Sequence, residues 1–184
     1  MLIRFLFVVI FIFSFKSFAQ PELSDYSAVV ETSGDILELI LPASALTATL
    51  LKKDWKGSKQ FALSFGTSFA VTRILKYAID KPRPNNPWNF KSFPSGHTAS
   101  SFVGASFIQR RYGWEYGKFA YVLAAFVGYS RIESQNHDFW DVLAGAAIGV
   151  GSTYIFTKPY NNTNISVGFS SHNGYRLVSL QMQF

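Results

Sequence analysis

Apolar residues in this chain come in blocks separated by short polar or cationic stretches. After a first block from Phe5 to Phe15 and a polar stretch over 20–33, further blocks run Ile36 to Leu51, Phe61 to Ile79, His97 to Ile108, Phe119 to Tyr129 and Phe139 to Phe156. None alternates with period two, and each is roughly 12–20 residues long, so each predicts an α-helix. The last block interleaves Ala144, Gly145, Ala146, Ala147, Gly149 and Gly151, which suits close helix–helix packing in a membrane. The pattern changes at the tail. Ile165, Val167 and Phe169 alternate with polar residues, and Val178, Leu180, Met182 and Phe184 do so after His172-Asn173-Gly174. That predicts two strands joined by an Asn-Gly turn. The expected fold class is all-α, a helical bundle, with a short C-terminal β-hairpin.

The ends of the blocks decide between a soluble bundle and a membrane-embedded one. Met1-Leu2-Ile3-Arg4, an apolar run and Ser17-x-Ala19 before Gln20 have the form of a signal peptide cleaved after Ala19; an uncleaved anchor helix is the alternative. Lys52, Lys53, Lys56 and Lys59 follow one block, and Arg110, Arg111 and Lys118 follow another. Counting helices places both cationic loops on one side, which the positive-inside rule makes cytoplasmic. The expectation is five spans after cleavage, six without it, in the inner membrane. A soluble all-helical periplasmic protein is the alternative. The expected domains are residues 1–19 as signal or anchor, 20–158 as the helical unit and 159–184 as an accessory tail.

Composition narrows the chemistry. The 184 residues contain no cysteine, which excludes disulfides, thiolate metal sites and cysteine catalysis. The formal net charge is +6, but no Lys/Arg run resembles a nucleic-acid arm, so no nucleic-acid partner is expected.

Three short stretches carry the candidate chemistry. Lys76 ends an apolar block, and Arg83 lies between Pro82 and Pro84. The prolines stop a helix and fix an extended turn, from which a guanidinium can grip an oxyanion. Pro94-Ser95-Gly96-His97 opens the next block. Ser95 is a candidate N-cap, Gly96 permits close backbone approach, and the helix start favours an anion beside His97. Ser130-Arg131 ends another block, and His137 and Asp141 follow it four residues apart. That spacing stacks them on one helix face, where a carboxylate fixes the imidazole tautomer. A metal-ligand pair is the alternative, with His97 and Asp138 as further donors, but nearby cations oppose it. Asp138 and Glu133 read as solvated loop acids, and His172 as inert. Cations and amides bind an oxyanion, one histidine can attack phosphorus and the other can protonate a leaving group.

In this order and spacing, Lys76…Arg83-Pro84, Pro94-Ser95-Gly96-His97 and Ser130-Arg131…His137…Asp141 resemble the three motifs of the type-2 phosphatidic acid phosphatase superfamily. The resemblance covers residues 76–141, with helix order fitting from about 34 to 157, and implies roles. His137 would form a phosphohistidine, held by Asp141. His97 would be the general acid. Lys76, Arg83, Ser95, Gly96 and Arg131 would bind phosphate. No metal or cofactor is implied. The apolar blocks point to the membrane-bound lipid phosphatases, acting on a substrate such as phosphatidic acid, phosphatidylglycerol phosphate, undecaprenyl pyrophosphate or lipid A, with the site facing the periplasm. The alternatives are a soluble acid phosphatase for small esters and a non-catalytic membrane protein that binds phosphorylated lipids.

Overall fold

A computed structural model describes residues 23–160, 164–172 and 175–183. The segment 1–19 and the Asn173-Gly174 turn lie outside the described residues. Among the described residues the chain forms five helices: α1 (Leu23–Leu51), α2 (Trp55–Ala78), α3 (Gly96–Tyr112), α4 (Trp114–Glu133) and α5 (Phe139–Phe156). Strands β1 (Asn164–His172) and β2 (Tyr175–Gln183) pair antiparallel, with Asn164 opposite Gln183 and His172 opposite Tyr175.

Most helices outrun their apolar blocks. The polar stretch 20–33 is largely helix, because α1 begins at Leu23. Glu31 and Asp35 are helical residues that bind groups on and just after α4. Similarly, α4 continues through Ser130 and Arg131 to Glu133. Apolar periodicity misses such turns because their polar side chains find partners inside the protein.

Helix α3 is central and packs on the other four helices. Small residues bring the backbones together. A Cβ at Gly104 would stand 2.6 Å from the Leu41 carbonyl carbon of α1, and at Gly145 and Gly149 it would stand 2.4 and 2.5 Å from the Ser95 and Ala99 carbonyl oxygens. Phe61, Val103, Phe107 and Ala45 form one apolar core cluster; Leu41, Ala105, Ala120 and Ala124 form another.

Much of the rest is polar inside and apolar outside. Thr49, Ser64, Ser101, Ser106 and Thr153 are fully buried, whereas Leu39, Ile74, Phe119, Val122 and Ile155 are each at least 65% exposed. Hydroxyls pair between helices, as in Ser106 Oγ to Thr153 Oγ1 at 2.8 Å. That arrangement suits lipid as the outer solvent. Among the described residues, two helical segments, Tyr26–Leu51 and Phe139–Phe156, are long and apolar enough to cross a membrane. The expected count of five therefore exceeds what length and apolarity support; α2 and α3 dilute their apolar faces with inward-facing Ser, Thr and Gln, and α4 carries charges at both ends.

The two cationic loops meet at one end of the bundle. Arg111, at the end of α3, reaches Asp54 between α1 and α2 through Nε–Oδ2 at 2.7 Å and Nη2–Oδ1 at 2.6 Å. Arg111 Nη1 also donates to the carbonyls of Lys158 and Pro159 after α5. Burial alone would raise the Asp54 pKa; hydrogen bonds from Arg111 and Gly57 outweigh it and hold the carboxyl below its usual range. The loops carrying the three motif stretches lie at the opposite end.

Candidate active site

Two loops and three helix ends build the site. The loop from 79 to 95 follows α2, and the loop from 134 to 138 joins α4 to α5. They are stitched together by Asn85 N–H to the Gln135 carbonyl at 3.0 Å and by Asn85 and Arg83 side chains donating to Asn136 Oδ1.

Asp141 is the anchor. It is fully buried in the first turn of α5. It completes a capping box: the Asp138 side chain accepts from the Asp141 N–H at 3.0 Å, and Asp141 Oδ2 accepts from the Asp138 N–H at 3.1 Å. Ser92 donates to the same oxygen at 2.5 Å, and Lys81 Nζ donates to Oδ1 at 2.8 Å. Lys81 also lies 2.5 Å from Asp138 Oδ2. Asp138 is therefore an N-cap in an ion pair rather than a solvated acid. Burial would raise its pKa, but Lys81 and the capping N–H groups hold it below the usual carboxylate value. Burial likewise opposes the charge on Lys81, and the two carboxylates overcome it, holding the ammonium above its usual pKa. The sequence reading missed Lys81 and Ser92, since neither stands in an apolar period or at a cap.

His137 is 3% exposed. Its Nδ1 lies 3.5 Å from Asp141 Oδ2 and 3.4 Å from Ser92 Oγ. Burial, then the charges of Lys76 and Arg83, push its pKa down to about 4 against the opposing pull of Asp141. The imidazole is thus neutral at neutral pH, the form that can attack.

Lys76, Arg83, Gly96 and His97 line a cavity of about 510 Å³, together with Glu38, Thr72 and Lys91 among others. Lys76 donates to the Lys91 carbonyl at 2.9 Å. Ser95 instead lies fully buried as the N-cap of α3, accepting from the Thr98 N–H at 3.4 Å, with its own N–H bonded to the Asp141 carbonyl. Arg131 is 2% exposed and turned toward α1, to Asp35 Oδ1 at 2.8 Å and the Glu31 carbonyl at 2.7 Å. His97 Nε2 also faces α1, 3.3 Å from Asp35 and 3.1 Å from Glu38. The carboxylates of α1 were not foreseen as site residues. Their signal was present: acids spaced 31, 35, 38 along one segment share a helix face, and a charge in an apolar helix faces inward.

The metal alternative would gather His97, His137, Asp138 and Asp141. Lys81 binds both of those carboxylates, and among the described residues no group of three or more His, Asp or Glu side chains is placed to hold an ion.

The family model of the PAP2 superfamily matches residues 58–165, more than half of the chain and all three motif stretches. The chain belongs to the PAP2 superfamily. It is 27% identical over 168 residues to a lipid A 4'-phosphatase of Helicobacter pylori, covering 85% of this chain and 82% of that one. It is 34% identical over 145 residues to a lipid A 1-phosphatase of Porphyromonas gingivalis, covering 67% of this chain but only 32% of that relative. Among solved structures, Aquifex aeolicus LpxE superposes with a TM-score of 0.62 at 23% identity, covering 71% of this chain and 84% of that one. A transmembrane PAP2-type phosphatidylglycerolphosphate phosphatase from Bacillus subtilis superposes at 0.53 with 26% identity, covering 75% and 76%. These superpositions place the helical bundle within a known fold.

Proposed function

We propose that the protein is a membrane lipid phosphatase that hydrolyses a phosphate ester through a phosphohistidine, and that residues 20–158 are its catalytic unit. One observation carries the reading. A cationic cavity is lined by Lys76, Arg83, Gly96 and His97, and the charges of Lys76 and Arg83 reach a buried, neutral His137 that does not itself line the cavity and is backed by Asp141. The named activities of the relatives support it.

Lys76, Arg83 and the Gly96 N–H bind phosphate oxygens, and Arg131 joins them on exchanging Asp35 for substrate. Ser95 caps the helix that presents His97. His137 attacks phosphorus through Nε2 while Nδ1 faces Asp141. The P–O bond to the lipid breaks, and His97 gives its proton to the departing oxygen. Water, deprotonated by His97, then attacks the phosphohistidine, releasing phosphate and regenerating His137. Positioned charge supplies most of the rate gain in such transfers. His137→Ala should lower phosphate release from a phosphorylated lipid in detergent by at least ~10³-fold; near-normal turnover would overturn the reading.

We place the site on the periplasmic side, because the cationic loops at the opposite end are retained in the cytoplasm. All five helices would span, the polar-inside, apolar-outside packing extending around the bundle. A cysteine at Asn86 should then react with an impermeant thiol reagent in intact, outer-membrane-permeabilised cells, and one at Ser58 should not. The reverse pattern would invert the topology.

A further inference from the structure

The atom of His97 that could protonate a leaving oxygen is already surrounded by carboxylates. Nε2 stands 3.1 Å from Glu38 Oε2 and 3.3 Å from Asp35 Oδ1, and that same Asp35 oxygen lies 2.8 Å from Arg131 Nη1. Asp35 thus occupies the place between a phosphate-binding guanidinium and the general acid. A leaving oxygen must come within about 3 Å of Nε2 to take its proton. Whatever that oxygen is bonded to departs alongside Glu38 and Asp35.

This constrains the leaving group. An uncharged alcohol carries no charge into the acidic shell, and any further hydroxyl it bears can donate to the carboxylates. A phosphate leaving group, produced when a pyrophosphate is cleaved, brings negative charge against Glu38, whose side chain is 23% exposed, and against Asp35, 51% exposed and paired with Arg131, so that Glu38 supplies the less screened share of the repulsion. Arg73 and Lys91 also line the cavity, but each is held over a ring, of Phe69 and Tyr77 respectively, and neither neutralises the acids at Nε2.

Resting on the proposed phosphatase reading, we propose that Asp35 and Glu38 set leaving-group specificity: the site takes phosphate monoesters of uncharged alcohols and rejects pyrophosphates.

The test uses the full chain purified in detergent, with dodecyl monophosphate and dodecyl diphosphate in mixed micelles as matched substrates, followed by phosphate release. A phosphate ester is intrinsically the better leaving group, so an indifferent site favours the diphosphate. The expected wild-type kcat/KM favours the monophosphate by at least ~10-fold, and Glu38→Gln and Asp35→Asn each move the ratio about 10-fold toward the diphosphate, roughly one unit of lost repulsion. A purely structural role would lower both substrates together; an unmoved ratio in both variants overturns the proposal. So does a wild-type enzyme that prefers the diphosphate. Failure of wild-type turnover on both substrates would instead overturn the phosphatase reading beneath it.

Discussion

Removing the Lys81 ammonium tests whether Asp141 is held by charge from the neighbouring loop. In Lys81→Met, Asp141 Oδ2 keeps Ser92 and the Asp138 N–H, but Oδ1 loses its 2.8 Å partner inside a fully buried residue. Breaking a buried ion pair costs about 3–5 kcal/mol. Lys81 is 30% exposed, so water replaces part of the interaction, and about 2–3 kcal/mol is expected. For a chain of this size that lowers Tm by roughly 4–12 °C in detergent. On the proposed mechanism Asp141 orients His137, so its displacement should lower kcat by ~10- to 100-fold. Lys81 does not line the cavity, so KM should stay within about threefold. Thermal unfolding and lipid-phosphate kinetics are measured together, with Lys81→Arg as the charge-restoring control. A Tm within 2 °C of wild type and kcat within twofold would refute the argument. Lost stability with unchanged kcat would mean that Lys81 serves the fold alone.

Two further outcomes follow from packing and from titration. Gly145→Ala pushes a methyl against the Ser95 carbonyl at 2.4 Å and should cost about 1–3 kcal/mol while reducing activity, because it wedges α5, bearing Asp141, off α3, bearing His97. Gly151→Ala, with nothing within 4 Å, should be neutral or slightly stabilising in the same thermal assay. The pKa of His137 lies at about 4 in the folded chain and near 6.5 unfolded. The unfolded chain therefore gains this proton first as pH falls. The group costs no stability above pH 6.5, and stability declines by about 3 kcal/mol in total as pH drops to 4. Wild type should lose more Tm across that window than His137→Asn; identical slopes would show that His137 titrates normally.

The motif residues were legible because fixed spacing around Pro and Gly announces them before any tertiary contact forms. The five helices were legible as apolar blocks, but their ends were not. The start of α1 read as polar because acids such as Glu31 and Asp35 interrupt the apolar run, and their partners, Asn136 and Arg131, lie about a hundred residues later. For the same reason Asp138 read as solvated: nothing adjacent reveals that Lys81 crosses from the other loop. Polar residues spoil a periodic signal whether they face water or a buried partner, and only the folded chain separates the two cases.

Charge balance explains why this site can wait for a phosphate. Six cations gather around it: Lys81 is paired with Asp138 and Asp141, Arg131 is paired with Asp35, and Arg73 and Lys91 are held over the rings of Phe69 and Tyr77. Among the described residues, Lys76 and Arg83 hydrogen-bond only to neutral groups, the Lys91 carbonyl and the Asn136 amide, and the buried Arg83 Nε has no partner. Two cations in a half-buried cavity without carboxylate partners are costly. A phosphate monoester, carrying between about 1.5 and 2 negative charges at neutral pH, relieves that cost by supplying the missing counter-charge and acceptor oxygens. On the proposed mechanism it also brings to His137 a phosphorus whose oxygens are already neutralised. Burial, seconded by the same two cations, holds the imidazole in its neutral form beforehand, so on the proposed mechanism the imbalance that recruits the substrate also helps keep the nucleophile ready.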